Sequence, residues 1–129
     1  MKNEIVILGH GSGGKLTHNL IEGYFLPHLK NDILESLDDS AVFNLNEGSF
    51  AFTTDSYVVD PIFFPGGDIG KLSVCGTVND LSMNGAEPLY LSCGFIIEEG
   101  FSLKDLEKII ISMKETAEEA GVKIIAGDT

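Results

Sequence analysis

The tightest constraint on the fold lies in the last third of the chain, where two apolar runs, Pro88 to Ile97 and Val122 to Ala126, flank a stretch with helical periodicity. Leu103, Leu106, Ile109, Ile110, Met113 and Ala117 recur at the three- and four-residue spacing that lines one face of a helix. Ser102-Leu-Lys-Asp105 resembles a capping box that opens this helix, and Gly121 is the residue type best suited to stop it. Strand, amphipathic helix and strand in that order call for a helical crossover, with the helix packed on a sheet. Gly94, inside the first apolar run, is expected to mark a bulge or a point of close packing.

Upstream, Leu16, Leu20, Ile21, Phe25 and Leu29 predict a helix disturbed near Pro27. Ala41 to Leu45 and Ser49 to Thr54 read as a hairpin around Asn46-Glu-Gly48. Tyr57 to Phe64 contains Pro61, so it is expected as an edge strand or a loop crossing the surface. Pro65-Gly-Gly-Asp68 starts another helix, with Asp68 as its N-cap and Ile69, Leu72, Cys75 (or Val74), Val78 and Leu81 as its buried stripe. The predicted class is α+β, a mixed sheet with helices packed on one face.

The chain has 129 residues, enough for one domain with its own core. Its formal net charge is -12, from 20 acidic groups against 8 lysines with no arginine, which argues against a nucleic-acid partner. There is neither a membrane-length apolar segment nor a basic, apolar secretory leader, and a cytoplasmic protein is expected. Cys75 and Cys93 lie inside apolar segments without C-x-x-C spacing and are expected as buried, reduced thiols.

Near the amino terminus, Gly9-His-Gly-Ser-Gly-Gly-Lys15-Leu-Thr follows the apolar run Ile5 to Leu8. The spacing is that of a phosphate-binding P-loop, yet Leu16 stands where a magnesium-binding hydroxyl is needed and Thr17 comes one residue too late. A glycine-rich loop covering phosphate in another way fits these residues better. His10, inside the loop, either touches phosphate or substrate or serves only the loop. His18 and His28 are expected on or beside the solvated face of the first helix, without ligand-type partners.

Acidic residues recur where apolar runs end, in Leu37-Asp38-Asp39-Ser40, Thr53-Thr54-Asp55-Ser56, Val78-Asn79-Asp80-Leu81 and Ala126-Gly127-Asp128-Thr129. Any one of these alone reads as a cap or a solvated turn. Asn79-Asp80 differs, because it interrupts an apolar helical pattern that such residues weaken. If the four spots converge, the carboxylates need cations to offset their repulsion, and magnesium bridging to a nucleotide triphosphate supplies them. Lys15 and the glycine loop would then cover the phosphates from the other side.

The segments HGSGGK, DDSAV, TTDSYVVDPIFFPGGDIGKL, CGTVNDLSMNGAEPLYLS and GFIIEEG together closely resemble the HypE family of nickel-iron hydrogenase maturation proteins. That family belongs to a superfamily of ATP-using enzymes with aminoimidazole ribonucleotide synthetase, thiamine phosphate kinase and selenophosphate synthetase. The resemblance implies a homodimer joined through strands around a two-fold axis, with ATP and Mg2+ bound near that interface. It points to Asp38, Asp39, Asp55, Asp80 and Asp128 as metal and phosphate ligands, with Asp80 also the candidate catalytic residue. It makes Gly11, Ser12, Gly13, Gly14, Lys15, Asp38, Thr54 and Asn79 the candidate nucleotide-binding residues.

The implied reaction is ATP-dependent dehydration of a carbamoylated terminal cysteine, thiocarboxamide to thiocyanate. A HypF-like carbamoyl donor and a HypC- and HypD-like iron-carrying complex are the implied partners. Residues 1–36 are then expected as a flexible phosphate lid with its helix, and 37–129 as the nucleotide-binding and dimerisation domain. The carboxy-terminal domain, the lysine that usually follows Gly-Asp-Thr and the terminal cysteine of the family are missing from this chain, so this part alone is not expected to complete the reaction. A non-catalytic module for dimerisation and partner docking is the other reading.

Overall fold

The computed structural model describes residues 5–37, 48 and 50–129. Of the expected hairpin, Ala41 to Leu45 lies outside the described residues, and 50–54 carry no strand assignment. The chain starts by pinning itself to the loop before the last helix: Val6 N–H donates to the Phe101 carbonyl at 2.6 Å and Gly100 N–H to the Val6 carbonyl at 2.7 Å.

Helix α1 (Lys15–Leu20) runs through a single π turn, Ile21–Phe25, into α2 (Leu26–Leu29). The widened turn, in which Leu26 N–H reaches the Ile21 carbonyl, comes immediately before Pro27. Proline lacks an N–H and its ring crowds the carbonyl four residues back, so the expected disturbance takes this form. A short hairpin, β1 (Phe63–Phe64) with β2 (Gly67–Asp68), leads into α3 (Ile69–Met83). The upstream segment, 51–59, carries no helix or strand assignment, so the surface-loop reading holds there and only Phe63–Phe64 is a strand.

Asp68 caps α3 as expected, its Oδ1 accepting from Lys71 N–H at 2.9 Å. The buried stripe needs correcting. Gly70 and Val74 are buried, whereas Leu72 and Cys75 are exposed. The stripe passes through Val74 because α3 meets α4 (Leu103–Ala120) at Gly70. A β-carbon on Gly70 would stand 2.9 Å from Met113 Cγ and would also press on the Ile109 carbonyl.

α4 is the hub of the fold. Leu103, Leu106 and Ile110 join Val6, Leu20 and Phe25 in one cluster, while Ile109, Met113 and Ala117 join Val74, Val122 and Ile124 in another. Phe95 touches both clusters, meeting Phe25 edge-on with centroids 5.0 Å apart. Each fully buried side chain, such as Leu106 or Ile110, stabilises the fold by about 1.5–3 kcal/mol. Ser102 caps the helix by accepting from Asp105 N–H, and Gly121 closes it with φ +71°.

β3 (Tyr90–Gly94) and β4 (Lys123–Asp128) pair in parallel across the α4 crossover. The first strand is therefore shorter than the apolar run Pro88 to Ile97, and the second reaches past Ala126 to Asp128. The register shifts between Leu91, opposite Ile124, and Ser92, opposite Ala126, so the irregularity lies there and not at Gly94. Close packing falls on Gly127, opposite Cys93 across the pair, where a β-carbon would stand 3.1 Å from the Cys93 carbonyl. The α+β class holds, with one antiparallel and one parallel pair among the described residues.

Candidate functional site

The glycine-rich stretch folds into a loop held by its own polar atoms. Leu8–Gly11 forms a 3-10 turn, Ser12 Oγ donates to the Gly9 carbonyl at 2.9 Å, and Gly13 N–H donates to Thr17 Oγ1 at 3.0 Å. Thr17, too late in sequence to serve as a P-loop hydroxyl, thus staples the loop to α1. His10 turns inward, its Nδ1 accepting from Ile7 N–H at 3.1 Å. Gly14 is the residue before α1 and Lys15 the first within it, exposed and unpaired with any carboxylate among the described residues.

Gly11, Ser12 and Gly13 face Asp128 and Thr129 across a cavity of about 480 Å³. The floor is apolar, with Phe25, Leu29 and Ile124 among its residues. The loop and the end of β4, 115 residues apart from Gly13 to Asp128, therefore share one opening.

A second cavity of about 660 Å³ contains Asp55, Tyr57 and Thr77, and it shares Cys93, Phe95 and Ile124 with the first. Tyr57 is its organising residue. The hydroxyl lies 3.4 Å from Thr77 Oγ1 on α3, and the Asp55 and Asp80 carboxylates both act on it. Burial first, and then these two carboxylates, raise the Tyr57 hydroxyl above its usual pKa, against the opposing effect of Thr77. The ring can lie there only because residue 76 is glycine: a β-carbon would come within 2.9 Å of Cζ.

The described candidates thus fall in two places, Asp55 beside Tyr57 and Thr77 in the second cavity, with Asp80 three residues after Thr77 on α3, and Asp128 with the glycine loop in the first. Thr54 and Asn79 are exposed next to Asp55 and Asp80. Asp38 and Asp39 lie outside the described residues. Among the described residues no three His, Cys, Asp or Glu side chains come close enough to hold a metal ion by themselves. None of Asp55, Asp80 and Asp128 is neutralised by a lysine or histidine there.

Two expectations about side chains outside the site are corrected. His28, half-buried, is not without a partner: its Nε2 lies 3.3 Å from Glu107 Oε1 on α4. His18 is exposed as expected and meets Glu22 at 3.3 Å. Cys75 is exposed, while Cys93 is half-buried, and its burial pushes the thiol up to about 11.

Tyr57, Thr77 and Gly76 went unnoticed in the sequence. The available signal was Gly76 itself, a glycine in a helix interior that costs about 1 kcal/mol relative to alanine and so suggests a close approach. No helix among the described residues is long and apolar enough to cross a membrane.

The chain is 50% identical over 129 residues to the carbamoyl dehydratase HypE of Azotobacter vinelandii, covering all of this chain and 38% of that protein. It is 50% identical over 127 residues to the same enzyme of Escherichia coli K12, covering 95% of this chain and 38% of that one. It thus spans under two-fifths of the length of these relatives. A crystal structure of the hydrogenase maturation protein HypE in complex with ATP superposes with a TM-score of 0.92 and 58% identity, covering 95% of this chain and 36% of that one. The family of AIR synthase related proteins, N-terminal domain, matches residues 37–129. By that match, which takes in most of its length, the chain belongs to the AIR synthase related protein N-terminal domain family.

Proposed function

We propose that this chain is the ATP-binding, dimer-forming amino-terminal part of a carbamoyl dehydratase that matures nickel-iron hydrogenases. The observation that carries the reading is the identity of about half of all residues to carbamoyl dehydratases across the whole chain, together with the close superposition on HypE in complex with ATP.

The residues suit magnesium with a nucleotide. Mg2+ is usually held by one or two carboxylates, with waters and substrate phosphates completing its shell. Exposed, un-neutralised carboxylates at Asp55 and Asp80, and a third at Asp128 beside a glycine loop, match that pattern better than a self-contained metal cage does. Asp55 and Asp80 would hold one ion and Asp128 another part of the metal–phosphate assembly, with Asp38 and Asp39 as further ligands. Exposed backbone N–H groups of Gly11 to Gly14 and the Lys15 ammonium would meet the phosphates. Thr54 and Asn79 are placed beside the ligands to bind nucleotide oxygens.

Bound ATP would supply phosphate to the amide oxygen of the thiocarboxamide, turning a poor leaving group into a good one. Proton removal from the nitrogen, for which Asp80 is the candidate base, then expels phosphate and leaves the thiocyanate. The part of the full-length relatives that this chain does not span would bring the terminal cysteine. Phe52, Val58 and Ile96, apolar and almost wholly exposed, would be covered by a second copy in the dimer. A HypF-like carbamoyl donor is a proposed partner, supported by the likeness to HypE in a HypE–HypF complex at TM-score 0.59 and 55% identity. A HypC- and HypD-like iron carrier and a cytoplasmic location complete the reading.

Calorimetric titration of the full-length protein with ATP and Mg2+ tests it. Asp55→Asn and Asp80→Asn should each weaken binding by roughly tenfold or more, and Lys15→Ala by less, since the phosphates reach the protein chiefly through metal. Absence of heat at millimolar nucleotide, with the dimer intact by sedimentation, would favour a docking module instead. Loss of binding only in Lys15→Ala would favour a P-loop.

A further inference from the structure

We propose that Thr17 is a positioning residue of the nucleotide site: its hydroxyl, which accepts the Gly13 N–H, holds the glycine-rich loop in its receiving shape before nucleotide arrives. The inference rests on the reading that this loop meets the phosphates of ATP.

Thr17 and Ile21 are four residues apart, on one face of the helix that starts at Lys15. Both line the cavity of about 480 Å³ together with Gly11, Ser12, Gly13 and Asp128. Lys15, two residues before Thr17, belongs to another face of the helix and lies exposed, outside that lining. Of the loop and α1 residues around the opening, only Ser12 and Thr17 carry a polar side chain.

These two hydroxyls close the two halves of the loop. Ser12 Oγ donates to the Gly9 carbonyl at 2.9 Å and turns the first half on itself, while Thr17 Oγ1 accepts from Gly13 N–H at 3.0 Å and ties the second half to the helix. Gly13 needs such a tie, because its φ of +76° is one of many conformations open to a glycine. Packing does not supply it: β-carbons added to Gly11 and Gly13 would meet nothing within 4 Å. A loop that must be ordered during binding weakens affinity, and a hydrogen bond that orders it beforehand removes part of that cost.

The departure from a P-loop acquires a reason here. A P-loop uses the hydroxyl directly after its lysine for magnesium. In this chain Leu16 fills that position and packs beneath the loop, where a β-carbon on Gly9 would stand 2.8 Å from Leu16 Cδ1. The hydroxyl one residue later shapes the loop instead.

Calorimetry of ATP with Mg2+ on the full-length protein, beside steady-state turnover, tests the proposal. Thr17→Val keeps the shape and removes the acceptor; ATP should bind roughly fivefold more weakly, the effect of one net hydrogen bond. The loss should appear in KM for ATP with kcat kept, and Thr17→Ser should restore it. Amide hydrogen exchange of the nucleotide-free protein, read on peptides spanning 9–14, should speed up in Thr17→Val and not in Thr17→Ser. Unchanged exchange in Thr17→Val, or ATP affinity equal to wild type, would overturn the role of Thr17. An equal loss of affinity in Thr17→Ser would overturn it too, since the hydroxyl is kept there. Failure of the wild-type protein to bind ATP would instead overturn the nucleotide reading on which the proposal rests.

Discussion

The ring of Tyr57 occupies the space that a side chain on Gly76 would need, with Cζ 2.9 Å from the position of the absent β-carbon. Alanine at this helical position gains about 1 kcal/mol in helix propensity. The obstructing atoms belong to the tip of one side chain on an unpaired segment, so the ring can swing away. Gly76→Ala should therefore leave the melting temperature within a few degrees of wild type while exposing Tyr57. Nitration by tetranitromethane, mapped by peptide mass spectrometry, should rise at Tyr57 and stay constant at Tyr24 and Tyr90.

Gly70 presents the opposite case. Its missing β-carbon would strike the backbone carbonyl of Ile109 and Met113 Cγ, and neither can move without parting α3 from α4. Overpacking of this kind typically costs about 1–3 kcal/mol. Gly70→Ala should destabilise the protein by that amount in urea unfolding, even though alanine is the better helix former. A variant as stable as wild type would mean that the two helices separate at no cost.

Asn31 ties the turn after α2 to β4. Asn31 Nδ2 donates to the Leu29 and Ile124 carbonyls at 3.2 and 2.9 Å, and its Oδ1 accepts from the Ile33 and Leu34 N–H groups at 3.1 and 3.0 Å. Next to it, Lys123 Nζ meets Asp32 Oδ1 at 2.8 Å. With a typical hydrogen bond worth about 1 kcal/mol net, Asn31→Ala should cost about 2–3 kcal/mol. Asn31→Asp keeps the acceptor oxygen but turns a carboxylate toward two carbonyls, so it should not rescue the loss. Equilibrium unfolding of both variants checks this.

What could be read in advance follows the range of the interactions involved. α4 was legible because its stripe, its Ser102 cap and its Gly121 stop are all local and agree with one another. The Asp68 cap was legible for the same reason. Which face of α3 is buried was not, since the choice of Val74 over Cys75 depends on contact with α4 at Gly70, a partner 39 residues away at Ile109. His28 was misread likewise, because Glu107 is distant in sequence. Of the candidate site, the sequence spacing named Asp55, Asp80, Asp128 and the glycine loop. It could not show that Tyr57 seats against Gly76 and Thr77, since that depends on how a segment without regular structure lies over a helix.

The two thiols provide a last test of the burial pattern. Cys75 sits on the exposed face of α3, whereas burial raises Cys93 to about 11. The thiolate is the reacting species, and at pH 8 only about one Cys93 in a thousand would be ionised. Iodoacetamide at pH 8 should therefore label Cys75 first, and Cys93 only slowly. Because deprotonation speeds the reaction, Cys93 labelling should rise about tenfold for each pH unit and level off only near pH 11. Peptide mapping after timed labelling distinguishes the two sites. Equal rates at pH 8 would show that Cys93 is not shielded between α3, α4 and β4 as the fold requires.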